Sequence, residues 1–330
     1  MHISGKRYNI AVSSGSTSLI GALYANNISG LKVAACIHMI PSSYLSIFVN
    51  NNQIIPISFD ETSLCPSLVD IKEKYKKYQF DALIYCDYYG SYQNIVDIHD
   101  FCSDNSVVLI RDSSHSHHFI KKNDPSNEVE HVCYSFQTAK PLSGFEGGMF
   151  STDDPRVASQ FCYYGTQSKY LQEIRQRCIP VAIEMSAGCG HKFRINPLAS
   201  ASLLPDLILL PIQNFLIRAV YILLSTHPNK ILSHSLYSAY KVGRSAAFCS
   251  NIVLLASEDF KLRQALVKSR LPFYQRDYDL KFIEGNPEAD VKQTLAQARL
   301  HFSKTYFIDI YSLLGLASLP RSISSFIFLI

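Results

Sequence analysis

The sequence is short of charge, and its cysteines form none of the pairs used for redox or metal work. Charged residues make up 18% of the 330 and hydrophobic residues 47%. That balance excludes a disordered chain and suits two domains or one large one. Lys and Arg are scattered, with no basic stripe, and the net charge is only +4. A nucleic-acid partner is therefore not expected. The nine cysteines are odd in number, with no CxxC pair and no zinc spacing. Several lie inside apolar runs, Cys86 in ALIYCD and Cys133 in HVCYSF. Buried free thiols in a reducing cytoplasm are the expectation. The start, MHISGKRYNIAVSSG, has no apolar core long enough for a signal peptide. Uninterrupted apolar spans are also missing. Residues 198–224 contain Pro205, Asp206, Pro211 and Arg218, and residues 306–330 contain Asp309, Pro320 and Arg321. No membrane span is expected, and the first stretch reads as a buried helical region.

What is present is a run of short apolar segments. VAACIH, QIIPISF, DALIYCD, SVVLIRD, HVCYSF and GGMFST are strand candidates. Between the third and fourth lies NIVDIHDFCSD, whose Ile95, Ile98 and Phe101 are spaced for one helical face. Strand, helix, strand, with runs apolar on both sides, predicts an α/β fold with a mostly parallel sheet covered by helices. Ligands bind such sheets at the carboxyl ends of the strands. Residues 167–186 read as helical, GHKFRINP breaks the pattern, and an apolar helix follows to about Leu224. STHPN, residues 225–229, is the linker candidate. It divides a large domain, 1–225, from a smaller α/β domain, 226–330.

Three places carry chemistry. AVSSGSTSLIGALY runs from a strand-like start through small residues into a helix. Free amides at a helix start favour an anion, so Gly15 and Ser16 form either a phosphate cup or an ordinary Ser/Thr cap. There is no P-loop lysine and no G-x-G-x-x-G. LIRDSSHSHH puts Asp112 at a strand end, where a carboxylate can meet a cationic nitrogen, followed by His115, His117 and His118. The histidines read as a metal cluster or as a plain turn. SFQTAK ends in Lys140, between a strand and the glycine-rich PLSGFEGGMF. A desolvated lysine there can form a Schiff base. Pyridoxal phosphate needs these three parts in one site: an anion cup, a carboxylate for its ring nitrogen and an amine for its aldehyde.

AVSSGSTSL, DYYGSYQNIVDIHDFC, VVLIRDSSHSHH, YSFQTAKPLSGFEGGMFST and GHKFRINPLASASLL stand in this order along the chain. Together they resemble the pyridoxal-phosphate-dependent sugar aminotransferases of the DegT/DnrJ/StrS type, which share the aspartate aminotransferase (type I) fold. Lys140 follows Asp112 by 28 positions, close to the family's interval. The resemblance implies that Lys140 forms the Schiff base and Asp112 pairs with the pyridine nitrogen. It implies that Gly15, Ser16 and Ser135 hold the phosphate. Ser114 would lie against one ring face, with His115 near the phenolic oxygen. His38 falls where an aromatic side chain stacks on the other face, or is a strand-end histidine of no special role. GHKFRINP matches a segment that reaches into the neighbouring subunit's site, with Lys192 where many members have Asn. The resemblance thus implies a homodimer with shared sites, an amino-acid donor such as glutamate, and a nucleotide-linked keto-sugar as acceptor. Sugar dehydratases of the family commonly replace the lysine with histidine, and Lys140 argues against that branch.

The chain also departs from the pattern. Ten residues precede Ala11, FCYYGT stands where Arg-Asn-His-Gly is expected, and YSLLGLASLPRSISSFIFLI is unlike the usual last helix. These departures place divergence in the substrate pocket more than in the cofactor pocket. They also motivate a different class of reading: a non-catalytic relative that binds cofactor or a partner as a regulatory subunit.

Overall fold

A computed structural model describes residues 3–60, 63–90, 92–117, 129–138, 140–165, 191–226, 237–239, 251–256, 273–274, 289–303 and 305–309. The helix expected over 167–186, His118 and the divergent tail lie outside the described residues, as does most of the linker candidate.

The chain opens with β1 (Tyr8–Val12), α1 (Gly15–Ala25), β2 (Lys32–Cys36), α2 (Pro41–Phe48), β3 (Gln53–Ile57), α3 (Leu68–Tyr78) and β4 (Ala82–Cys86). After a short 3-10 turn at Tyr88–Gly90 come α4 (Ile95–Asp104), β5 (Val108–Asp112), β6 (His131–Ser135), β7 (Gly148–Thr152), α5 (Pro155–Tyr164) and the long α6 (Pro197–Thr226). Then follow β8 (Tyr237–Ala239), β9 (Asn251–Ala256), β10 (Phe273–Tyr274), α7 (Ala289–Ser303) and β11 (Thr305–Asp309).

Seven strands form one sheet in the order β1-β7-β6-β5-β4-β2-β3. Five pair in parallel, and β7 runs against both of its neighbours. All six strand candidates are strands. The strand before α1 starts at Tyr8, three residues ahead of the strand-like start at Ala11. Its Tyr8, Ile10 and Val12 alternate into the core, and that period of two sets its length. The central strands β4 and β6 are buried at every residue, as expected for a sheet covered on both faces. One face packs Leu19 and Leu23 of α1, Tyr44 and Ile47 of α2, and Phe161 of α5. The other packs Ile71 and Tyr78 of α3 with Ile95, Ile98 and Cys102 of α4. A second, antiparallel sheet has the order β10-β11-β9-β8. The α7 helix returns to the first sheet's core with Leu295 and Ala298, and buried Lys74 of α3 donates to Thr294 Oγ1 at 3.1 Å.

The apolar stretch after GHKFRINP is helical, as expected, but it is not a buried helix. The α6 helix continues through Pro205 and Pro211, and over Pro197–Leu216 only one stripe, with Ala199, Ser202, Asp206, Leu210 and Asn214, is buried. Leu204, Ile208, Ile212 and Phe215 are exposed. The reason is geometric: the helix is apolar all round, and one sheet face can cover only one side of it. By length and composition alone, Pro197–Leu216 is long and apolar enough to cross a membrane, with a mean hydropathy of 1.3 and 28% of it buried. The six described cysteines, Cys36, Cys65, Cys86, Cys102, Cys133 and Cys162, are free and buried.

Candidate active site

The register brings three strand ends level. Cys86 of β4 pairs with Asp112 of β5, and Asp112 pairs with Cys133 of β6. Asp112 is the last residue of its strand and is buried. Its Oδ1 accepts the backbone N–H of Ser114 at 3.1 Å and also the Ser114 hydroxyl. Its Oδ2 accepts from Ser43 Oγ at 3.3 Å, so α2 and the turn after β5 fix the carboxylate from two sides.

After Ser135 the chain makes a turn in which Lys140 N donates to Gln137 O at 2.8 Å. Lys140 is only 8% exposed, which is unusual for a side chain that prefers water. Its place relative to Asp112 shows in Cys86. Burial pushes that thiol well up, Asp112 and Asp87 push the same way, and Lys140 opposes them. The amine and the carboxylate thus act on the thiol that ends β4 in opposite senses.

The third part is the start of α1. Ser14 is the N-cap, accepting from Thr17 N at 3.1 Å, and its hydroxyl lies 2.7 Å from that of Thr17. The cap reading and the cup reading are compatible. Ser14 satisfies Thr17, while the first-turn amides of Gly15 and Ser16 have no intrahelical acceptor and, with the helix dipole behind them, favour an anion. Gly15 is required by close approach: a Cβ there would stand 2.6 Å from Ser135 Cβ. That contact sets the Ser135 hydroxyl beside the helix start. Ser14 also bridges to Gly147, which draws the lysine loop's far end to the same place.

The rings sit to one side. His38 is fully buried, with Nδ1 2.9 Å from Cys36 Sγ. Its ring meets Phe59 and Tyr88 edge-on, at 4.8 and 4.6 Å. Tyr88 in turn lies 5.0 Å from half-buried His115. His117 is buried away from that row, between Tyr134 and Phe136. Among the described residues no group of three His, Cys, Asp or Glu gathers as a metal set. Lys192 is exposed, on the segment where Phe193 O accepts Ser13 N at 2.7 Å and Arg194 bridges to Val12.

Sequence reasoning missed what lies beneath the strand ends. Asp87, just past β4, is fully buried. Its Oδ2 accepts from Arg111 Nη2 at 2.8 Å, Arg111 Nε at 3.2 Å and Ser113 Oγ at 2.9 Å. The guanidinium lies 4.7 Å over the Tyr92 ring. Arg111 and Ser113 flank Asp112 in sequence, so this knot grips the site carboxylate's neighbours on both sides. Burial pushes the Asp87 carboxyl up to about 7, against the pull of Arg111 and Ser113. The signal was available: an arginine inside the apolar run VVLIRD needs a buried partner.

The assembled groups fit pyridoxal phosphate. A helix start whose Gly15 leaves no room for a Cβ suits a phosphate, buried Asp112 ends a strand as the ring nitrogen's partner would, and buried Lys140 follows the next strand. A structural comparison finds the same fold in distant relatives. An aminotransferase from Psychrobacter cryohalolentis superposes with a TM-score of 0.77 at 14% identity, covering 93% of this chain and 82% of that one. The 3-amino-5-hydroxybenzoic acid synthase gives 0.75 at 17%, covering 96% and 84%. The GDP-4-keto-6-deoxy-D-mannose-3-dehydratase of E. coli, solved with hydrated pyridoxal phosphate, gives 0.72 at 17%, covering 93% and 84%. A comparison with curated proteins finds no match. A sequence profile of the DegT/DnrJ/EryC1/StrS aminotransferase family matches residues 2–270. The chain belongs to that family of pyridoxal-phosphate-dependent enzymes.

Proposed function

We propose that this enzyme moves an amino group from an amino acid, glutamate, to a keto-sugar carried on a nucleotide. The observation that carries the reading is the burial of Lys140, in the turn that follows β6, beside the strand that buried Asp112 ends. The bound cofactor supplies an electron sink for the carbon that bears the amino group. The protein's own groups do the rest. Asp112, held by Ser114 and Ser43, keeps its carboxylate aimed at the ring nitrogen and keeps that nitrogen protonated. Gly15, Ser16 and Ser135 anchor the phosphate. Lys140 holds the cofactor through its amine and, when displaced by the donor, takes the proton from the donor's α-carbon and later returns one to the acceptor's carbon. Across both halves the donor leaves as a keto acid and the keto-sugar as an amino sugar.

Lys140 also favours transamination over dehydration, since the dehydratase branch of the family commonly has histidine there. A second copy of the chain completes the site in this reading. Exposed Lys192 would reach across to the partner's phosphate as a point charge. Residues 1–225 form the cofactor domain and 226–330 the smaller one. The free buried thiols suit a reducing cytoplasm.

The test is the visible spectrum of the purified chain with added pyridoxal phosphate, before and after glutamate, beside Lys140→Ala. A lysine-dependent band that glutamate bleaches is expected. A band that glutamate leaves unchanged removes glutamate as the donor. Folded protein with no lysine-dependent band refutes the enzyme reading and leaves the non-catalytic relative.

A further inference from the structure

We propose that Asp206 of α6 is a positioning residue for Lys140, holding the loop that carries the lysine against the long helix. The proposal rests on Lys140 being the amine that meets the cofactor. The loop after Lys140 is gripped at successive backbone amides. Leu142 N donates to His117 Nδ1 at 2.9 Å, and Ser143 N donates to Asp206 Oδ2 at 3.2 Å. Gly144 is pressed onto the same helix, where a Cβ would stand 2.9 Å from Ala199 O and 2.9 Å from Leu203. A third tie comes from Asn214 of α6, which donates to His117 O at 3.3 Å. Asp206 is 1% exposed and is the sole charged residue of α6 between 197 and 217. A carboxylate placed alone in an apolar helix and buried is costly unless it holds something. What it holds is an amide three residues from Lys140.

The Asp206 tie weakens in acid. Burial pushes Asp206 up to about 6, with the Ser143 N–H pulling the other way. As pH falls through that value the carboxyl gains a proton, and its bond to Ser143 drops from charge-assisted to neutral. The loop's own charged side chains are Lys140, buried, and Glu146, exposed. The anchor is therefore complete above about pH 6 and loosens below it.

Hydrogen–deuterium exchange of the full chain, without cofactor, reads the anchor directly at Leu142 and Ser143. Asp206→Ala should speed Ser143 exchange about tenfold, the scale of a bond to a charged group. Asp206→Asn keeps a neutral accepting oxygen and should restore part of the protection. Once corrected for intrinsic rates, wild-type protection should fall toward that of the Asn variant below about pH 6, while the Asn variant shows no step. Pyridoxal phosphate titration at pH 8 should show affinity about tenfold weaker in the Ala variant and near wild type in the Asn variant. Unchanged Ser143 exchange in the Ala variant, or an identical pH step in the Asn variant, overturns the anchor. Wild-type affinity in the Ala variant overturns its bearing on Lys140. If wild type and Lys140→Ala bind cofactor alike, the cofactor reading fails instead, and the exchange data still judge the anchor. Should the Ala variant fail to fold, the wild-type and Asn pH series decide.

Discussion

Replacing Asp87 with alanine strands a guanidinium. Arg111 is 1% exposed and donates to the Asp87 carboxylate at 2.8 and 3.2 Å, its one carboxylate partner among the described residues. Removing one partner of a buried pair typically destabilises by about 3–5 kcal/mol, because the remaining charge is neither hydrated nor neutralised. Removing both charges at once, as Asp87→Leu with Arg111→Met, takes away the attraction and the desolvation penalty together. That double variant should sit within about 1–2 kcal/mol of wild type. Guanidinium unfolding at constant pH, followed by tyrosine fluorescence, gives the midpoints. A single-variant loss below about 1 kcal/mol, or a double variant no better than the single one, refutes the reasoning. The pH dependence adds a sign. The folded Asp87 binds its proton up to about 7, well above the ordinary carboxylate value, so the native state holds more protons than the unfolded chain in between. Its contribution is greatest in acid and is lost as pH rises through about 7. The wild-type midpoint should therefore fall relative to the double variant between pH 5 and pH 8.

Gly15→Ala should weaken cofactor binding and destabilise the chain by about 1–3 kcal/mol, since the new Cβ meets Ser135 Cβ, which cannot swing away; a pyridoxal phosphate titration with a parallel thermal melt checks both. His131 is held down to about 4 by burial, with Nδ1 3.0 Å from Thr152 Oγ1. Its depressed value means that the unfolded chain takes the proton first. Stability should fall as pH drops from about 6.5 toward 4, and His131→Gln should flatten that acid limb in a series of melts.

Much of the site was legible because its parts sit at strand ends, where an apolar run stops and a polar residue begins. Asp112 closes VVLIRD, Ser135 closes HVCYS, and Gly15 opens α1 after IAV. Strand order is another matter. The return of β7 between β1 and β6 leaves no local trace in GGMFST, because its direction is set by partners far away in sequence. The exposure of α6 was also hidden: an all-apolar helix predicts burial, and only the single sheet face available decides how much it receives. Arg111 and Asp206 stood in plain view as charges inside apolar runs. Their partners, Asp87 from the neighbouring strand and Ser143 from the lysine loop, are joined to them by the fold alone.

The pairing of β1 with β7 bears on how the enzyme is made. Asn9 and Ser151, whose side chains meet at 2.8 Å, are 142 positions apart. The proposed phosphate cup needs Gly15 and Ser16 from one end of that stretch and Ser135 from near the other. Contacts so distant along the chain form late and slowly, after the local strand–helix–strand units. A nascent chain would thus have its carboxylate strand in place while the cup was still open. Cofactor present during refolding should then speed the last phase rather than the first.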